Sequence, residues 1–132
     1  MIGYFGVVLT LLKVAGTAIV LIGLLHVLLG LRADRLLDHT VPETAIKHPS
    51  LDSQNRFYGA AFAVFGVLLW LCASDMTRYG PVFRTLMIVF FLAGAARFIS
   101  AALMGLPSRI VRILWLLEVG APPLLLWWQA AR

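Results

Sequence analysis

At 132 residues, with 61% hydrophobic and 13% charged side chains, the chain is too apolar for a water-soluble domain, whose apolar share lies near roughly one half. The composition is that of an integral membrane protein. A net charge of +5 does not point to nucleic acid, because the Lys and Arg residues, Arg97 apart, are scattered over the ends of the apolar runs, with no stripe and no basic tail; anionic lipid headgroups are the fitting counterions.

In chain order, the N-terminus Met1-Ile2-Gly3-Tyr4-Phe5 lacks a basic leader, and no small-x-small cleavage pattern follows the first apolar run, so that run is expected to be retained. Four apolar windows read as membrane spans, at about 14–31, 57–74, 85–106 and 113–130. Each approaches the roughly 20 residues that a ~30 Å hydrocarbon core requires. Lipid offers no partner to open backbone groups, so all four should be helices. The expected fold is all-α: one transmembrane domain over 1–132, an integral membrane four-helix bundle with antiparallel up-down topology.

The connections are unequal. Residues 32–56 form the one sizeable extramembrane loop, while 75–84 and 107–112 are short links. Within the loop, residues 40–47 carry a capping threonine, an early proline and an early acid, which predicts a short surface helix ending before Pro49. Ser50, Asp52 and Ser53 are candidate N-caps for the second span, and Asp52 suits the positive end of a helix best.

Small residues recur where helices would approach closely: Gly16, Gly23 and Gly30 at heptad spacing, and Gly59, Ala63 and Gly66 in the second span. Gly23-Leu24-Leu25-His26 and Gly94-Ala95-Ala96-Arg97 share a polar residue three positions after a glycine, a faint internal echo. Cys72 is the only cysteine and reads as a small packed hydrophobe. Trp70, Trp127 and Trp128, with Tyr4 and Tyr79, read as an interfacial belt on one side, and Trp115 belongs to the other.

Arg97 and Glu118 are the most informative residues, because each lies deep in an apolar run where an ionised side chain is costly unless it faces a partner or a cavity. Counted from the side of the large loop at ~1.5 Å per residue, His26 lies roughly 8 Å inside, Glu118 roughly 9 Å and Arg97 roughly 15 Å, while Gln54, Asn55 and Arg56 open the second span. Ser100 follows Arg97 on the same helical face. The prediction is a polar pocket in one leaflet formed by His26, Gln54, Asn55, Arg56, Arg97, Ser100 and Glu118. Pro122 and Pro123 lack the amides that would pair with the carbonyls of Glu118 and Val119, so a kink is expected there and acceptors are left beside the acid.

Other chemistry finds little footing. His39, His48, Asp34, Asp38 and Glu43 have no recognised zinc spacing, and no phosphate loop, nucleophile elbow or His-Glu-x-x-His helix occurs. No metal or cofactor is implied. Residues 52–60, Asp-Ser-Gln-Asn-Arg-Phe-Tyr-Gly-Ala, and residues 94–100, Gly-Ala-Ala-Arg-Phe-Ile-Ser, resemble a bacterial family of small four-helix membrane proteins known as domain of unknown function four-three-four-five. The resemblance spans nearly the whole chain, and a looser one to DoxX-like proteins concerns architecture alone. It implies a four-helix topology and carries no established activity.

Three functions remain open on the sequence. The leading one is a non-enzymatic module whose pocket holds a membrane lipid or small amphipathic molecule, since arginine suits anionic headgroups. The second is an intramembrane enzyme on a lipid-soluble substrate, with Glu118 or His26 as acid-base group. The third is a structural subunit in which Arg97 and Glu118 only pin two helices. A membrane protein partner or a homo-oligomer fits any of them. Localisation is expected in the bacterial inner membrane as a multi-pass protein. The base count leans against cytoplasmic termini, with Lys13, Arg78, Arg84 and Arg132 on the terminal side against Arg32, Arg35, Lys47, Arg56, Arg109 and Arg112 on the other; the architectural analogy favours them.

Overall fold

The computed structural model describes residues 3–132, and among the described residues no strand occurs. The elements are α1 (Tyr4–Leu29), a 3-10 helix (Gly30–Leu36), α2 (Glu43–Ile46), α3 (Pro49–Ser74), α4 (Met76–Met104) and α5 (Arg109–Ala130). The fold is all-α. Among the described residues four helices, α1 with its 3-10 extension, α3, α4 and α5, are long and apolar enough to cross a membrane. Their outer faces are apolar too: Leu28, Leu103 and Leu116 are 74%, 78% and 73% exposed, an arrangement that water penalises and hydrocarbon does not.

The helices begin earlier than the apolar windows. α1 starts at Tyr4 rather than near residue 14, because Lys13 does not break it; its ammonium lies 5.0 Å from the centroid of the Trp70 ring, a cation-π contact that accommodates a charge at a span's edge. The expected link at 75–84 shrinks to one residue. Asp75 ends α3 and caps α4, its carboxylate accepting from the amide of Arg78 at 3.0 Å, and α4 runs on through Pro81. The 32–56 loop is also more ordered than its sequence suggests. α3 already begins at Pro49, with His48 at the N-cap and proline at a position that needs no amide. Asp52 is therefore inside the first turns and is not the cap. The short helix predicted over 40–47 is present as the four residues of α2, with Pro42 rather than Thr40 at the N-cap position and no side-chain cap.

The chain divides into two compact units, Met1–Gly80 and Pro81–Arg132. In the first, α1 packs on α3 through the small residues. A Cβ on Gly16 would stand 2.8 Å from the Gly66 carbonyl oxygen, one on Gly23 would stand 2.5 Å from the Ala63 amide, and one on Gly59 would stand 2.7 Å from the His26 Cβ. These contacts run upward along α1 and downward along α3, so this pair lies antiparallel, with the backbones as close as missing side chains allow. Cys72 is fully buried, as a packed hydrophobe would be.

In the second unit, the Pro81–Met104 part of α4 lies against α5. Phe83 meets Trp128 with ring centroids 6.5 Å apart, a Cβ on Gly94 would stand 2.9 Å from the Glu118 Cβ, and Phe98 meets Trp115 at 4.6 Å. This pair is antiparallel by the same reasoning. Trp128 is thus packed against Phe83 and buried, while Trp127 remains exposed, so only one of the two adjacent tryptophans presents the surface that a belt residue needs. Gly105, at φ 92°, ends α4 in a conformation open to glycine, and the Ser108 hydroxyl accepts from Val111 N at 3.4 Å to start α5.

Candidate functional site

Of the predicted site residues, His26, Asn55 and Arg56 form hydrogen-bonded contacts within the first unit, and Arg97, Ser100 and Glu118 lie in the second. In the second unit, Arg97 projects from α4 and Glu118 from α5, and they meet fork to fork: Nε donates to Oε2 at 2.6 Å and Nη2 to Oε1 at 3.0 Å. The bidentate geometry is the strong form of this contact. Gly94 makes it reachable, because only a residue without a side chain lets the Glu118 Cβ approach α4 one turn before the arginine. Pro122 and Pro123 lie inside α5, which continues through them; the carbonyls of Glu118 and Val119 therefore have no helical amide to accept.

The pair does not use up the arginine. Nη1 donates to nothing among the described residues, and the Arg97 side chain is 41% exposed against 21% for Glu118. Arg97 and Ser100 border an open cavity of about 300 Å³, walled otherwise by Ala93, Ala96, Ala101, Gly105, Pro107 and Val111. Small side chains create the space, and the two polar residues, on one face of α4, supply its chemistry. This volume is at the low end for a small-molecule site.

In the first unit, the polar residues satisfy one another. His26 places Nδ1 2.8 Å from the Ile22 carbonyl and Nε2 3.1 Å from Asp34 Oδ1. Both neighbours are acceptors when the acid is ionised, so only the imidazolium form donates to both together. Asn55 Nδ2 donates to the other Asp34 oxygen at 2.7 Å, leaving its own buried Oδ1 without a partner among the described residues. Arg56 Nε donates to Asp52 Oδ2 at 2.8 Å, and its Nη1 donates to the carbonyls of Val27 at 2.6 Å and Leu28 at 3.0 Å, which end α1. Asp52 Oδ1 accepts from the amide of Leu31 at 3.3 Å. Gln54 is exposed and takes no part.

Thus Arg97 of α4 meets Glu118 of α5, and Ser100 lies three residues beyond Arg97 on the same face of α4. Asp34 and Asp52 are the partners that sequence reasoning misses. Asp52 and Arg56 stand four apart on one helix, a spacing that signals an ion pair, but the same acid also suits a helix cap. Asp34 lies eight residues beyond His26 across a change from α to 3-10 winding, and no periodic rule links the two.

The model of a protein family described as a domain of unknown function, DUF4345, matches residues 7–129. The chain therefore belongs to that family. No curated protein and no solved structure matches it.

Proposed function

We propose that this member of the DUF4345 family is a multi-pass membrane module, in the bacterial inner membrane with cytoplasmic termini, that binds a lipid or small amphipathic molecule without transforming it. The observation that carries the reading is the cavity of about 300 Å³ beside Arg97 and Ser100. Intramembrane ionisable groups are functional by default, and here one is anchored by Glu118 while a guanidinium edge stays available. Glu118 spends both oxygens on Arg97, which leaves it a poor general base and weakens the enzymatic alternative. Native mass spectrometry of the purified protein, with extraction of whatever accompanies it, tests this directly. A stoichiometric amphiphile is expected; protein that emerges clean, with or without a protein partner, counts against the pocket.

A second reading is favoured by the Gly94 contact. There the pair is a structural pin between α4 and α5, and the cavity is a packing remnant. Replacing Ala96 with Leu separates the two, since filling the space removes the co-purifying molecule only if the cavity is the site. A C-terminal alkaline phosphatase fusion should be inactive with the termini cytoplasmic, and periplasmic activity would reverse the orientation.

A further inference from the structure

Resting on the pocket reading above, we infer that the Arg97–Ser100 cavity selects an uncharged, ester- and hydroxyl-bearing amphiphile of the acylglycerol class and disfavours anionic lipid. A bare arginine in hydrocarbon would call for an anion. This one is already neutralised by two hydrogen bonds to Glu118 at 2.6 and 3.0 Å. An anionic headgroup would leave the three charges with a net negative sum in a medium that penalises it, and a cationic one a net positive sum. Neutral polar atoms carry no such penalty.

The hydrogen-bonding inventory narrows the class. Arg97 Nη1 offers donors and no acceptor, which suits an ester carbonyl. Ser100 supplies the complement. The hydroxyls of Thr10, Thr17, Ser74 and Thr85 each bond back to the carbonyl four residues earlier, at 2.9, 2.9, 2.9 and 3.0 Å. Ser100 has the Ala96 carbonyl in the same relation, yet its hydroxyl makes no hydrogen bond among the described residues. It stays free to bond a ligand hydroxyl as donor or acceptor. A glycerol ester presents the carbonyl and the hydroxyl a few bonds apart, and its chain suits the alanine walls and the apolar faces beyond them.

Two probes with the same chain and glycerol unit test the inference: 1-oleoylglycerol and 1-oleoyl lysophosphatidate, titrated separately into the full chain in detergent and read by native mass spectrometry. The acylglycerol should bind at least about tenfold more tightly. Ser100→Ala should weaken it by about tenfold, the usual worth of one hydrogen bond to a ligand, with helicity by circular dichroism unchanged. Ala96→Leu should abolish it. If the lysophosphatidate binds more tightly and Ala96→Leu removes it, the neutral class is wrong and the pocket stands. If Ala96→Leu binds both probes as well as the parent does, inference and pocket fall together.

Discussion

Arg97 and Glu118 grip each other through two parallel hydrogen bonds, of 2.6 and 3.0 Å, across α4 and α5. Removing one partner strands the other charge in an apolar setting. Arg97→Leu should therefore cost about 3 to 5 kcal/mol, less if Glu118 takes up a proton, whereas Arg97→Leu with Glu118→Leu should recover much of the loss. Arg97→Lys should not substitute, since an ammonium cannot make the fork. Reversible SDS unfolding in mild-detergent micelles gives the stabilities of the parent, these variants and Glu118→Leu alone, and losses of the two single leucine variants that merely add in the double would deny the coupling.

The glycines divide by what stands over them. Gly23→Ala would push a methyl to within 2.5 Å of the Ala63 amide and 2.6 Å of the Gly59 carbonyl oxygen; backbone cannot yield as a side-chain tip does, so a loss of about 1 to 3 kcal/mol is expected. Gly120, in α5, has nothing within 4 Å of the same methyl. Gly120→Ala should be neutral or stabilise by about 0.5 to 1 kcal/mol through helix propensity. The same unfolding titration decides it, and equal effects at both positions would show that α1 and α3 do not meet as described.

Solvent and residue spacing account for the part of the fold that is legible in the sequence. A bilayer forces helices on apolar runs, so the four long helices can be read, and two ions isolated in such runs have few partners but each other. The α1–α3 seam is visible in Gly16, Gly23, Gly59, Ala63 and Gly66. Helix ends are less legible, because Lys13 and Pro81 look like boundaries and the backbone carries both inside helices. The bond from His26 to Asp34 is hidden for a different reason: it depends on the path of the chain after Gly30, at φ 61°, and no pattern of side chains encodes that turn.

Outside the spans, the Asp38 carboxylate accepts from the Thr40 hydroxyl at 2.6 Å and its amide at 2.9 Å. Those bonds, the hydroxyl's foremost, hold the carboxyl below its ordinary range, with a smaller pull from His39 and against the cost of desolvation. A depressed folded-state value means the contribution to stability is complete above the unfolded-state range and fades as pH falls through the lower folded value. Thr40→Val keeps the amide bond and loses the stronger one, so Asp38 should titrate closer to its ordinary value. Following the Asp38 Cγ shift by NMR tests this; coincident titrations in the two proteins would remove the hydroxyl from the account.

Gly30 joins α1 to the 3-10 helix at φ 61° and ψ −140°, a region nearly closed to other residues, and a Cβ there would also overlap the Asp52 carboxylate. Gly105 has φ 92° but nothing within 4 Å. Alanine at Gly105 should thus show backbone strain alone, on the order of 1 to 3 kcal/mol. Alanine at Gly30 should cost more, because it also displaces the carboxylate that accepts from Leu31 N and holds Arg56 against the α1 carbonyls. Most of the excess should vanish where Asp52 is already alanine, since only the flexible tip of Arg56, 3.0 Å from the new methyl, remains to give way. If Gly30→Ala is as costly with Asp52→Ala as without it, the penalty is wholly in the backbone, and the closure of α1 by Asp52 and Arg56 contributes nothing to it.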